Sequence, residues 1–103
     1  MRAESESGTA MSDRLVRKRI IVSGRVQGVG FRYTASHAAQ MLGLTGWVRN
    51  DFSGTVTMEL QGDEELISRM VPVLEQGSWI RITEWKEKVI PVDEDEHGFH
   101  VRR

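Results

Sequence analysis

No cysteine occurs among the 103 residues of the chain, which excludes a disulfide framework, a thiolate metal site and a cysteine nucleophile. The fold therefore stands on packing. Neither sign of charge is in excess: 14 basic and 15 acidic residues leave a formal net charge of −1. The broad basic footprint of a nucleic-acid binder is missing. No apolar run approaches the ~20 residues of a membrane span. The opening stretch MRAESESGTAMSD also lacks the basic-then-apolar order of a signal peptide, so the default compartment is the cytoplasm. No internal repeat of β-α-β type is strong enough to define a second unit, and a second core would need roughly 50 residues of its own. A chain of this length buries about 60–70% of its unfolded surface, enough for one sheet with one layer of helices.

What is present is organised. Residues 1–15 are polar and carry no periodic apolar positions, which reads as a disordered leader before a single domain over residues 16–103; Met11 offers an alternative start. From Val16 the apolar residues Val16, Ile20, Val22 and Val26 take even positions, against Arg17, Arg19, Ser23 and Arg25 on odd ones, the alternation of a half-buried strand. Gly28 and Gly30 break it. Helical spacing follows, with Phe31, Ala35, Ala38, Ala39 and Leu42 on one face and Gly43 placed for a left-handed C-cap. GWVRN and TVTMEL read as a hairpin around the turn NDFSG. Asp63 offers an N-cap to a helix with the stripe Leu66, Ile67, Met70, Val73 and Leu74, which Pro72 should kink or shorten. SWIRITEWKEKVI supplies a fourth strand and GFHVRR a short terminal one. The basic cluster Arg14, Arg17, Lys18, Arg19 and Arg25 and the acidic cluster Asp93, Glu94, Asp95 and Glu96 are both expected as solvated surface.

The order β-α-β-β-α-β with an appended strand predicts an α+β, ferredoxin-like two-layer sandwich, with two helices on one face of an antiparallel sheet. In that topology strands one and two run parallel, with the third between them, so their ends share one edge of the sheet. At ~4.8 Å per neighbour, the loop after Val26 and the side chain ending strand two stand about 10 Å apart. A small anion and a water fit that gap.

The loop Gln27-Gly28-Val29-Gly30-Phe31 leaves a strand, turns on glycines and enters a helix. Such a loop aims several backbone N–H groups in one direction, which suits a phosphate. Arg32, in the first helical turn, opposes the helix dipole and is the natural bidentate partner of a phosphate. An ordinary strand-to-helix turn with a surface arginine satisfies the same residues. The spacing is that of neither a P-loop nor a dinucleotide fingerprint. Asn50, ending strand two, can accept from a water while donating to a phosphate oxygen, or can be a plain turn asparagine. Trp47 and Val48 read as packing.

Gly24-Arg25-Val26-Gln27-Gly28-Val29-Gly30-Phe31-Arg32, then Leu42-Gly43-Leu44, then Gly46-Trp47-Val48-Arg49-Asn50 and Gly54-Thr55-Val56, closely resemble the acylphosphatase family over roughly Arg19 to Arg103. The resemblance implies a ferredoxin-like fold and metal-independent, cofactor-free hydrolysis of carboxyl-phosphate anhydrides. It makes Arg32 the phosphate-binding arginine, Asn50 the residue that orients the attacking water, and Gln27, Gly28, Val29, Gly30 and Phe31 the backbone cradle. Two positions depart from what can be matched: Ser53 in the hairpin turn, where an aspartate is common, and Pro72 in the second helix. They bear on loop geometry and helix length.

The implied substrate explains why the glycine loop contains no acid, histidine or cysteine. The leaving group of an acyl phosphate is a carboxylate whose conjugate acid has a pKa of about 4–5, so it departs without a general acid. Positioning and stabilisation of the equatorial oxygens remain, and those the cradle and Arg32 can supply. The expected partners are a small acyl phosphate and inorganic phosphate, the latter as product and competitive inhibitor, with no nucleic acid and no membrane; the chain is expected to be a monomer. His37, His97 and His100 lack metal-ligand spacing, and the first strand lacks the aromatics of an RNA-binding sheet. A sensor using the same cradle is the rival reading. Similar units also open larger carbamoyl-transfer proteins, but the end of the chain at Arg103 favours a free-standing enzyme.

Overall fold

The computed structural model describes residues 15–76 and 78–103. Five strands and three helical segments follow one another as β1 (Leu15–Arg25), α1 (Phe31–Met41), β2 (Thr45–Asn50), β3 (Val56–Asp63), α2 (Glu64–Ser68), α3 (Met70–Glu75), β4 (Arg81–Ile90) and β5 (Phe99–Val101). They form one sheet in the order β4-β1-β3-β2-β5. The first four strands make the expected antiparallel ladder, with β3 between β1 and β2. The appended β5 joins β2 in parallel, Val48 opposite Val101, so the whole sheet is mixed. The leader expected over residues 1–15 and the alternative start at Met11 lie outside the described residues, save for Leu15, with which β1 opens.

Alternation sorts the side chains. Ile20, Val22, Val48, Val56, Met58 and Leu60 are wholly buried on the helix side of the sheet, where they meet Phe31, Ala35, Ala38 and Ala39 of α1 and Ile67, Met70 and Leu74 of α2 and α3. At roughly 25 cal/mol per Å² of apolar surface, this layer dominates the favourable energy of folding. Helix α1 ends where Gly43 takes φ 71°: Leu44 N–H donates to Ala39 and Gly43 N–H to Gln40, the paired bonds of a Schellman motif. The second helix is broken at Arg69 into α2 and α3. Pro72 has no N–H to give the carbonyl of Ser68, and its ring crowds that oxygen. The interruption therefore falls three residues before the proline.

Of the two charged clusters, Arg14 lies outside the described residues and Arg19, Arg25, Asp93, Glu94 and Asp95 are exposed as expected, but Arg17, Lys18 and Glu96 correct the surface reading. Arg17 is only 4% exposed and Lys18 is buried. Arg17 donates five hydrogen bonds, to Glu59, Gln61 and Glu96. Gln61 also exchanges two bonds with the backbone of Asp93. The acidic segment thus straps the open face of the sheet, and Glu96 joins Arg17 at 2.7 Å. Lys18 pairs with Glu87 of β4 and Glu64 at the start of α2. A charge can be buried only when paired in this way.

Candidate active site

At the end of β1 the chain turns through Gln27 to Gly30 into α1. Gly28 and Gly30 have φ of 74° and 75°, while among the described residues no non-glycine has positive φ. The sign of φ therefore alternates from Gly28 to Phe31, the pattern expected of an anion-binding nest. A Cβ on either glycine would meet nothing within 4 Å, so the glycines are required by their dihedrals and open onto free space. Among the described residues, no main-chain carbonyl accepts from the N–H groups of Gly28, Val29 or Gly30. The first N–H groups of α1 have no intrahelical partner either. Several donors thus converge on one spot.

Arg32, at the second position of α1, donates one hydrogen bond among the described residues, from Nη1 to the carbonyl of Arg102 at 3.3 Å. Arg102 is itself held by a bond from its N–H to Val48. Asn50 ends β2 with the parity of Val48, which places it on the helix side of the sheet with Arg32. Its Oδ1 is buried, and among the described residues it has no hydrogen-bond partner. An unmet buried acceptor costs about 1–3 kcal/mol, and Asn50 lines a cavity of about 230 Å³ together with Gly28, Gly30, Phe31 and Arg32.

The cradle and the hairpin turn are locked together by Gln27. Its Nε2 donates to the carbonyls of Asp51 and Thr55 at 2.7 and 2.8 Å, which fixes the loop relative to Asn50. The turn is braced in addition by Asp51, whose carboxylate accepts from Thr55, Thr57 and Arg49. Burial alone would raise the pKa of that carboxyl, but the bonds from Thr57, Thr55 and Arg49 outweigh it and hold the group below its ordinary value. Ser53 bonds Thr55 within the same turn.

Of the residues singled out in the sequence, the structure brings Gly28, Gly30, Phe31, Arg32 and Asn50 to one cavity. The ring of Phe31 is buried, so only its backbone is offered there. Val29 packs against the core and does not line the cavity. Gln27 lies beside the neighbouring cavity, of about 620 Å³, with Arg49, Asp51 and Phe52. The clamping role of the Gln27 side chain was not legible in the sequence, because its acceptors are carbonyls of a distant turn. Trp47 packs as expected, between the guanidinium groups of Arg49 and Arg102 at 5.2 and 4.5 Å. Among the described residues no group of three His, Cys, Asp or Glu side chains could hold a metal ion; the His37 ring lies tilted against Tyr33 and the His100 ring bonds the carbonyl of His97. No helix among them is long and apolar enough to cross a membrane.

A split β-α-β sandwich with an open nest at the shared strand edge defines the class as ferredoxin-like α+β. Residues 18–101 match the family model described as Acylphosphatase. The acylphosphatase of Bifidobacterium longum (strain NCC 2705) is 42% identical over 94 residues, covering 89% of this chain and 97% of that protein. The crystal structure of acylphosphatase from Bacillus subtilis superposes with a TM-score of 0.76 at 36% identity, covering 86% of this chain and 99% of that one. Full-length HypF in its phosphate- and nucleotide-bound form matches with a TM-score of 0.73 at 28% identity, but this chain covers only 12% of it. The chain belongs to the acylphosphatase family, which implies hydrolysis of acyl phosphates.

Proposed function

We propose that the chain hydrolyses small acyl phosphates to carboxylate and inorganic phosphate without a metal or other cofactor, with Arg32, Asn50 and the backbone from Gln27 to Phe31 as its machinery. The observation that carries this reading is the meeting, around one cavity of about 230 Å³, of free nest N–H groups, a guanidinium with no carboxylate partner among the described residues, and the unmet Oδ1 of Asn50. The nest and Arg32 hold the three equatorial phosphate oxygens, and their charge stabilises what develops there in the transition state. Asn50 Oδ1 accepts a hydrogen bond from the water and aims its lone pair at phosphorus, in line with the departing carboxylate. The P–O bond to water forms as the P–O bond to the acyl oxygen breaks, and the electron pair leaves on the carboxylate. No carboxylate or imidazole lines the cavity, so the water's proton passes to an oxygen of the substrate's own phosphate.

The same reading makes phosphate a product and competitive inhibitor, and the protein a cytoplasmic monomer, its domain spanning residues 16–103, with no nucleic-acid or membrane partner. Benzoyl phosphate tests it, with chelator present and Arg32→Ala as the matched variant. Chelator-resistant turnover that falls by about 10²-fold or more in the variant supports the assignment. A folded protein without turnover leaves a phosphate-binding sensor as the reading of this site.

A further inference from the structure

Two larger cavities flank the cradle, and in-line chemistry chooses between them. One, of about 620 Å³, meets the cradle at Asn50, on the side of the hairpin turn that carries Phe52, and it too reaches Arg103. The other, of about 560 Å³, meets it at Arg32 and Tyr33, on the helix side, and runs past Val101 to Arg103. Attacking and leaving oxygens lie on opposite sides of phosphorus. If Asn50 holds the water, the acyl group lies away from Asn50. We infer that the acyl part of the substrate occupies the cavity between Tyr33, Val101 and Arg103, and that these three residues set acyl-group specificity toward an apolar body ending in an anionic group.

The lining fits that chemistry. Tyr33 is 70% exposed and Val101 50% exposed, so both present apolar surface without being needed for the core. The Tyr33 ring is kept in place by His37, at 4.4 Å between centroids, and offers a face for an aromatic or flat acyl group. Arg103, which lines both flanking cavities, has no carboxylate partner among the described residues, whereas Arg49, in the larger cavity alone, is paired with Asp51. The side on which the acyl group lies is therefore chosen by the in-line geometry and Tyr33. A free guanidinium is the one that can receive a second carboxylate. This inference rests on the hydrolytic reading above and adds the end of the substrate that the cradle does not touch.

Three substrates separate the ideas: acetyl phosphate, which has no acyl extension, benzoyl phosphate, and 4-carboxybenzoyl phosphate, whose second carboxylate is rigidly remote. The wild type should prefer 4-carboxybenzoyl over benzoyl phosphate in kcat/KM, and Arg103→Gln should remove that preference, about threefold for an exposed pair. Tyr33→Ala should lower kcat/KM for both aromatic substrates about fivefold, with acetyl phosphate turned over as before. Phe52→Ala, in the other cavity, should leave all three ratios unchanged. Failure to hydrolyse even acetyl phosphate overturns the hydrolytic reading and this inference with it. Normal acetyl phosphate turnover with ratios indifferent to Tyr33 and Arg103, or moved by Phe52→Ala instead, overturns this inference alone.

Discussion

Arg17 and Arg32 carry the same side chain on opposite faces of one sheet, and their surroundings differ in every respect that matters. Arg17 is enclosed, and its guanidinium meets two carboxylates and an amide. Burial works against its charge, yet the bond to Glu96, the largest influence, together with Glu59 drives its pKa well above the ordinary arginine value. Arg32 stands at the mouth of the nest with a single carbonyl contact. One guanidinium has been saturated by the fold, and the other has been left available. The same contrast runs through the acceptors: Glu59 Oε1 and Oε2 are both used, while Asn50 Oδ1 is not. Satisfied polar groups hold this protein together, and the unsatisfied ones are where the proposed function places the substrate.

The contrast can be broken most sharply at Arg32. Lysine in its place keeps the charge but not the planar fork, so turnover of benzoyl phosphate by Arg32→Lys should still fall by roughly 10²-fold, with an unchanged urea midpoint. Wild-type kinetics in that variant would show that the fork is dispensable. Asn50→Ala comes next: kcat should drop by about 10²-fold, within the range of a lost proton-handling or positioning group, while the inhibition constant of phosphate stays within a few-fold. Loss of phosphate inhibition instead would move Asn50 from the water to the anion.

The opposite outcome is expected at Arg17. Arg17→Met should lower unfolding free energy by about 2 kcal/mol, less than the loss of a fully isolated buried pair because Arg19 still serves Glu59. Below its new melting temperature kcat should be preserved, and a rate loss without a stability loss would mean the two faces communicate. The smallest effect is the pH dependence. Burial would raise the pKa of Glu59, but the bonds from Arg17 and Arg19 outweigh it and leave the carboxyl below its unfolded value of 4.5. A depressed folded pKa means the unfolded state binds more protons in the window between the two values. The stability from Glu59 is thus complete above about pH 4.5 and lost as pH falls through the folded value. Denaturant titrations from pH 7 to 3 should show that acid limb, shallower in Glu59→Gln.

Local pattern made much of the helix layer readable. The even-position apolar residues of β1, the stripe of α1 and the capping glycine at 43 all follow from periods of two and 3.6 residues. The proximity of Arg32 and Asn50 was legible too, because split β-α-β topology puts the ends of β1 and β2 on one edge. What stayed hidden depends on distant partners. Alternation set Arg17 opposite the apolar positions of β1, as solvent-facing, and only the strap from Asp93 to Glu96 turns that face inward. No periodicity reports a bond between residues 79 positions apart. Gln27 was singled out for its backbone, yet its side chain makes the clamp. Pro72 announced a disturbance in the second helix without saying that the break would fall at Arg69.

The strap also sets an order of events during synthesis. Arg17 is among the first of the described residues to leave the ribosome, and Glu96 among the last. Chains are made from the N-terminus and their early parts begin to organise as they emerge. Until the acidic segment follows, the guanidinium meant for enclosure stays hydrated, and the sheet has one uncovered face. A nascent chain that has completed β4 but not the strap is therefore a distinct, incompletely covered species.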